Sequence, residues 1–419
     1  MEKAFLVNVE IRERRQRSGW PQAETAAELR ELARSSRLEV LEEVTVRRNR
    51  ATAALLIGKG KGEEIHSRCH ASGAEAVVFG KDLSSAQQRN LEDLLGVKVI
   101  DRTQLILDIF ARRANSQEGR VQVELAQLEY LLPRLAGKGI LLSRLGGGIG
   151  TRGPGEQKLE VDRRRIRVRI GRLRQELQEI RERREIARRK REKEAIPSIA
   201  IIGYTNAGKS SLLNALTQAG AQARDELFTT LDPLTRRLRL PSHQQILLTD
   251  TVGFLRELPH HLVDAFRATL EEVTQSDLLL HVLDASGSLP EERASAVREV
   301  LELLGAEGKP IVLALNKVDL LGPEERRGAS RRFPEGVAVS AATGEGLDHL
   351  VGRIDSLLAS RLEEALIRLP PAQGAWLTRI YKEGQVLHRR DGEEAVELRA
   401  RLPHRLLGQL AKAGLLSGN

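Results

Sequence analysis

Cysteine is nearly missing from this 419-residue chain, which has one, Cys69. That excludes an internal disulfide framework and fits a reducing compartment, so the expected location is cytoplasmic. Aromatic residues make up 3%, too few for base stacking on aromatic platforms to be the main mode of nucleic-acid contact. No apolar run approaches the length of a membrane span. The opening MEKAFLVNVEIRERR has no signal-peptide layout, because its apolar stretch is short and acidic residues intrude. No membrane association is expected. Internal repeats and low-complexity tails are also missing.

What is present is a globular 41% of hydrophobic residues, with room for two to four domains, and a strongly uneven charge. The chain carries a net +9. Residues 144–193 alone hold 18 Lys and Arg against 8 Asp and Glu, an excess of ten, so the remainder is close to neutral. A segregated basic segment points to a polyanionic partner held through phosphates.

The expected fold is multidomain α/β. Over residues 1–115, strand-like runs (AFLVNVEI, LEVLEEVTV, TAALLIG, AEAVVFG, VKVI) alternate with helical ones, predicting an α/β domain with a partly parallel sheet. Residues 116–195 read as a basic helical hairpin. Its first helix, in EGRVQVELAQLEYLLPRL, is expected to break at Pro133. In the second, Ile166, Ile170, Leu173, Leu177 and Ile180 recur at heptad spacing and should pack on the helix ending near Leu132. A helix from Lys158 to Glu194 would be about 55 Å long. Residues 196–360 alternate buried strands (ILLTD, LLLHVLDA, IVLALNKVD, VAVSA) with helices, as in a doubly wound, mostly parallel sheet. Residues 361–419 predict a small α+β domain.

Two glycine-rich runs stand out. In GGGIGTRGPGE, Gly148 to Gly153 match the dinucleotide fingerprint, but no strand precedes them and Pro154 should interrupt a following helix. A flexible hairpin loop, or one with Arg144 and Arg152 available for phosphates, fits better. The second run, Gly203-Tyr204-Thr205-Asn206-Ala207-Gly208-Lys209-Ser210, follows a predicted strand and opens a helix containing Ser211. There backbone N–H groups receive phosphates, Lys209 neutralises the β and γ oxygens, and Ser210 ligates Mg²⁺.

Further motifs follow in the order a guanine-nucleotide site needs. LFTTLDP offers Thr230, preferred over Thr229, to close on the metal. Asp250 ends an apolar strand and can hold the metal through water, while Gly253 can present its N–H to the γ-phosphate. Asn316-Lys317-Val318-Asp319 places a carboxylate to accept hydrogen bonds from guanine N1–H and N2–H₂, which adenine cannot supply. Ser340 and Ala341 can approach the base through backbone N–H. GTP, Mg²⁺ and a catalytic set of Lys209, Thr230 and Gly253 are therefore expected. Phe254 stands where a water-orienting glutamine is common, and a phenyl ring cannot position or deprotonate water. Intrinsic hydrolysis should be slow until a partner or a conformational change completes the site. Asn206 either helps coordinate K⁺ or stabilises the loop as an amide. His66, Cys69 and His70 lack a fourth metal ligand, and His260 and His261 read as a solvated turn.

GYTNAGKS, LFTTLDP, DTVGFLRELP and NKVD, together with SSAQQRNLE, DRTQLILDIFARRA, VQVELAQLEYLLPRL and SRLGGGIGTRGPGE, resemble the HflX family of ribosome-associated GTPases over roughly residues 3–360. The resemblance implies a partner in the large ribosomal subunit, with 23S rRNA contacts near the peptidyl transferase centre. It implies splitting or rescue of stalled 70S ribosomes, and GTP hydrolysis stimulated by the ribosome. It also implies a hairpin-tip loop, so rRNA contact is expected at Arg144, Gly147, Gly148 and Arg152, and at Arg163, Arg164 and Arg165 beyond it. Some members use ATP through the N-terminal region, where Gly58-Lys59-Gly60-Lys61-Gly62 offers either an anion-binding loop or a basic loop on RNA. The chain is expected to act as a monomer. The alternative reading is an RNA-remodelling protein with GTP as a timer.

Overall fold

Both β1 and the third strand of the N-terminal sheet are apolar on each face, and a strand can be so only if helices cover both sides of its sheet. A computed structural model describes the chain except residues 12–19, 50–51, 136–153, 194–195, 218–226, 229, 257–266, 360–361, 393 and 418–419. Arg144, Gly147, Gly148, Arg152, Thr229, His260 and His261 therefore lie outside the described residues.

The described residues form two compact units. The first comprises Met1–Glu182, Asp225–Asp232 and Glu257–Arg267, and the second the rest. In the first, β1 (Glu2–Ile11), α1 (Gln22–Ser35), β2 (Leu38–Arg48), α2 (Lys59–Ser72), β3 (Ala76–Phe79), α3 (Ser85–Leu95), β4 (Lys98–Asp101) and α4 (Arg102–Arg113) succeed one another. The sheet is wholly parallel, in the order β2-β1-β3-β4. Phe5, Val7, Val77 and Phe79 meet Ile65, Cys69, Leu91 and Leu95 in one core.

The long helices α5 (Gln117–Leu135) and α6 (Pro154–Lys193) follow. The heptad stripe does what its spacing predicts: Ile170, Leu173 and Leu177, with Ile166 beside them, pack on Val121, Leu125, Leu128 and Leu132. Arg169 clamps Glu124 through two 2.7 Å hydrogen bonds and Arg174 reaches Glu129 at 2.7 Å. Both prolines act differently from expectation. Helix α5 continues to Leu135 through Pro133, since Arg134 in its last turn donates to Leu83 O, Gln88 Oε1 and Asp101 Oδ2. Pro154 opens α6 instead of blocking it, because a first-turn position has no intrahelical N–H to lose.

Two N-terminal expectations also change. TAALLIG is a tight turn closed by a Thr52–Leu56 bridge, not a strand, with Leu56 and Ile57 buried in the core. Gly58-Lys59-Gly60-Lys61-Gly62 is no open loop. Lys59 to Gly62 form the first turn of α2, and Lys59 and Lys61 pair with Glu63 and Glu64. Cys69 is buried in the core, whereas His66 Nδ1 bonds Leu95 O at 3.0 Å, so the two do not converge.

In the second unit, β5 (Ser198–Ile202), α7 (Lys209–Thr217), β6 (Leu234–Arg239), β7 (Gln245–Asp250), α8 (Arg267–Gln275), β8 (Leu278–Asp284), α9 (Pro290–Leu303), β9 (Ile311–Asn316), α10 (Pro323–Arg332), β10 (Val337–Ala338) and α11 (Leu347–Ala359) build a doubly wound domain. Its sheet runs β10-β9-β8-β5-β7-β6, parallel except for β6. The chain then adds β11 (Glu363–Leu369), α12 (Gly374–Glu383), β12 (Gln385–Asp391), β13 (Val396–Leu402), α13 (His404–Lys412) and β14 (Leu416–Ser417). The antiparallel order β12-β13-β11-β14 makes this a split β-α-β arrangement. Among the described residues no helix is long and apolar enough to cross a membrane.

Leu173 is fully buried between α5 and α6. Replacing it with Ala should remove about 3 kcal/mol from the unfolding of the first unit. Urea unfolding followed through that unit's transition measures this, and an unchanged midpoint would refute the packing.

Candidate nucleotide-binding site

Parallel sheets expose their functional loops at the carboxyl ends of the strands, and the candidate residues of the second unit lie there. The loop after β5 needs unusual backbone. Asn206 has φ 61° and Gly208 φ 90°, and a Cβ on Gly208 would lie 2.3 Å from Asn316 Nδ2. No side chain fits that approach. The loop also turns carbonyls inward: Lys209 Nζ donates to Gly203 O at 3.2 Å and Tyr204 O at 3.0 Å. Tyr204 packs by a bridge against Phe254, and its hydroxyl accepts from Arg256 N at 3.1 Å.

Lys209 is buried, and desolvation pulls its ammonium down to about 8, with Asp250 pulling the other way. Ser210 Oγ donates to Asp250 Oδ2 at 2.6 Å, and Asp250 is wholly buried at the end of β7. A hydroxyl beside a carboxylate is a hard-oxygen pair of the kind Mg²⁺ takes, with phosphate and water completing its shell. A Cβ on Gly253 would lie 2.8 Å from Thr205 Cγ2 and 3.0 Å from Lys209 Nζ, so this glycine leaves its backbone against the phosphate loop. Thr205 Oγ1 is buried with no hydrogen-bond partner among the described residues. Ser211 follows in the first turn of α7.

The base-side residues are joined to the same loop. Asn316 Nδ2 donates to Ala207 O at 2.9 Å, and Asn316 Oδ1 accepts from Ala341 N at 3.0 Å. Thus one buried amide ties the ends of β9 and β10 to the phosphate loop. Lys317 adopts a left-handed φ of 64° and pairs with Asp284 at 2.8 Å. Asp319 stays exposed in a single turn after β9, open to a base. Ser340 is buried, its Oγ accepting from Thr343 N at 3.1 Å. Phe254 is fully buried and hydrogen-bonded to the loop through its backbone.

Thr230 belongs to the 225–232 segment that groups with the first unit, whereas Ser210 and Asp250 belong to the second. Sequence reading missed Asp284, quoted only as part of a strand. Its signal was an acid at the end of a buried parallel strand. It also missed His281 in β8, buried with a ring that burial, then Arg298 and Lys209, lower to about 4. The ring is therefore neutral at pH 7. Arg163 and Arg165 on α6 pair with Glu160 at 3.8 Å and Asp162 at 3.6 Å. Arg164 is exposed.

A lysine near 8 makes nucleotide affinity pH-dependent. The free site loses its cation as pH rises through 8, while a bound phosphate keeps it protonated. Affinity for GTP should therefore fall about tenfold between pH 7 and 9. Equilibrium titrations across that range test this, and a flat profile would refute the buried cation.

Four family models match successive parts of the chain. They are GTP-binding GTPase N-terminal over residues 23–111, GTP-binding GTPase Middle Region over 113–191, 50S ribosome-binding GTPase over 198–317, and HflX C-terminal domain over 328–413. The chain is similar to GTPase HflX of Caldanaerobacter subterraneus subsp. tengcongensis, 47% identical over 90% of this chain and 87% of that protein. It is likewise similar to GTPase HflX of Escherichia coli, 43% identical over 91% and 90%. Among solved structures it is similar to a GTP-binding protein from Sulfolobus solfataricus in complex with GDP, at 26% identity, 86% and 99% coverage and a TM-score of 0.45. With models end to end and relatives above 40% identity over nine-tenths of its length, this chain belongs to the HflX family, enzymes that bind and hydrolyse GTP.

Proposed function

We propose that this GTPase binds the large ribosomal subunit and splits or rescues stalled 70S ribosomes, with ribosome-stimulated hydrolysis of GTP driving release. The observation that carries the reading is the joining, in one chain, of a guanine-nucleotide site to a long helix with arginines on its outer side. On α6 the apolar stripe is used up against α5, while Arg164, Arg165, Arg167 and Arg172 are exposed. Ion pairs at such exposure are worth little, so these cations can exchange their partners for phosphates of 23S rRNA. Arg144, Gly147, Gly148 and Arg152 would extend that contact toward the peptidyl transferase centre. The similarity to a 50S ribosome-binding GTPase model supports the partner.

In the nucleotide site, the loop from Gly203 to Ser211 would wrap the phosphates, with Lys209 between the β and γ oxygens and the Gly253 N–H on the γ-phosphate. Asp319 would select guanine, with Asn316, Lys317, Ser340 and Ala341 framing the base. Mg²⁺, held by Ser210 and Thr230 and through water by Asp250, would supply neutralisation of the phosphate oxygens. Asn206 either joins a K⁺ to the site or stiffens the loop. Phe254 supplies no group for the attacking water, and the ribosome completes that part. We take the acting form to be a cytoplasmic monomer.

GTP turnover measured with and without purified large subunits should rise at least tenfold on their addition, and no stimulation would count decisively against the reading. Lys209→Ala should weaken GTP binding by two orders of magnitude or more, and retained affinity would undo the phosphate-loop assignment. The double substitution Arg164→Ala/Arg165→Ala should weaken subunit binding and reduce the slope of log affinity against log salt by about two. GTP affinity in isolation should not change.

A further inference from the structure

Thr230 lies between two anchors that both belong to the first unit. On one side, Phe228 is 2% exposed and meets Phe110 of α4 edge-to-face, with ring centroids 4.5 Å apart. It does so with φ 55°, a left-handed backbone that aromatic residues rarely adopt and that persists only where packing imposes it. Leu227 and Leu231 are buried alongside, and Leu227 N donates to Ser35 Oγ at 3.3 Å.

On the other side, Asp232 holds the two residues that lead into α5. Its Oδ2 accepts from Asn115 N at 2.9 Å and Ser116 N at 2.7 Å, and its Oδ1 accepts a short hydrogen bond from the Ser116 hydroxyl. That hydroxyl in turn accepts from Gly119 N at 2.9 Å. Ser116, the residue just before the helix, thus caps α5, and Asp232, 116 residues away, fixes that cap in place. Its carboxylate also faces the positive end of the helix dipole. The approach is so close that a Cβ on Gly119 would sit 2.4 Å from Asp232 Oδ1.

We infer that Phe228 and Asp232 are positioning residues for hydrolysis. They fix the two ends of the Thr230 segment to α4 and α5, so that a partner engaging the N-terminal unit acts on Thr230 through them. The inference rests on the reading above, in which Thr230 closes on the metal and the large subunit stimulates turnover. It adds the physical link: α5 packs along α6, the proposed rRNA-facing helix, and Ser116, which caps α5, is bonded to the residue two places after Thr230.

The test uses the full chain and purified large subunits. Asp232→Ala removes the acceptor of both backbone N–H groups and of the Ser116 hydroxyl. Gly119→Ala reaches the same contact from α5, with no change in any nucleotide-site residue. Each should lower subunit-stimulated kcat about tenfold, leaving KM for GTP, affinity for GDP and affinity for the subunit within twofold. Because both break one contact, the double variant should lose no more than the worse single one. Phe228→Leu, which keeps bulk but loses the edge-to-face pair, should give a smaller loss of the same kind. If the wild-type chain is not stimulated at all, the ribosomal reading fails. If it is stimulated and both single variants keep that stimulation, or their losses multiply in the double variant, the positioning role is overturned.

Discussion

A buried ammonium sets the terms for the nucleotide domain. Burying a charge costs several kcal/mol unless dipoles or an opposite charge offset it. Lys209 meets this with the inward carbonyls of Gly203 and Tyr204 and with Asp250 nearby. Carbonyls can turn inward only where the chain accepts left-handed backbone, hence Asn206 and Gly208. The compensation is incomplete, and the lowered pKa measures the shortfall. A phosphate would complete it, so the cost of holding the cation in the domain is recovered when the ligand arrives.

Around that cation the strand ends act as one frame. Asp250 holds Ser210, and Asn316 fastens the phosphate loop to the end of β10. Asp284 fastens Lys317. The loops that follow β5, β8, β9 and β10 are thereby joined through side-chain amides and carboxylates that are themselves buried. In the first unit the logic is different. There α6 spends its apolar stripe on α5 and leaves Arg164, Arg165, Arg167 and Arg172 exposed.

Much of this was legible in the sequence because its signals are local. The phosphate loop, Asp250, Gly253 and the Asn316–Asp319 motif each end a buried strand, and strands of that kind announce themselves as unbroken apolar runs. The stripe from Ile166 to Leu177 was readable since helical periodicity is intrinsic to the chain. Misreadings arose where one residue type serves two ends. Pro154 and Pro133 read as breakers, yet Pro154 opens α6, where no intrahelical N–H is lost, and α5 runs two residues past Pro133 to Leu135. TAALLIG had strand composition, but its Leu56 and Ile57 reach the core from a turn. The glycines of the Lys59–Lys61 run suggested an open loop, although Gly62 is there to pass Leu94, whose Cδ2 would be 2.3 Å from a Cβ.

By itself, then, the sequence determined the class of fold and the family of chemistry, since these depend on residue types at short fixed spacing. Only the tertiary structure decided which distant residues meet. Asp284 with Lys317, Asn316 with Ala207, and Asp232 with Ser116 join positions from 33 to 116 residues apart. No periodicity records such pairs, because chain closure over those lengths costs nearly the same for many alternatives. Packing of the whole unit makes the choice.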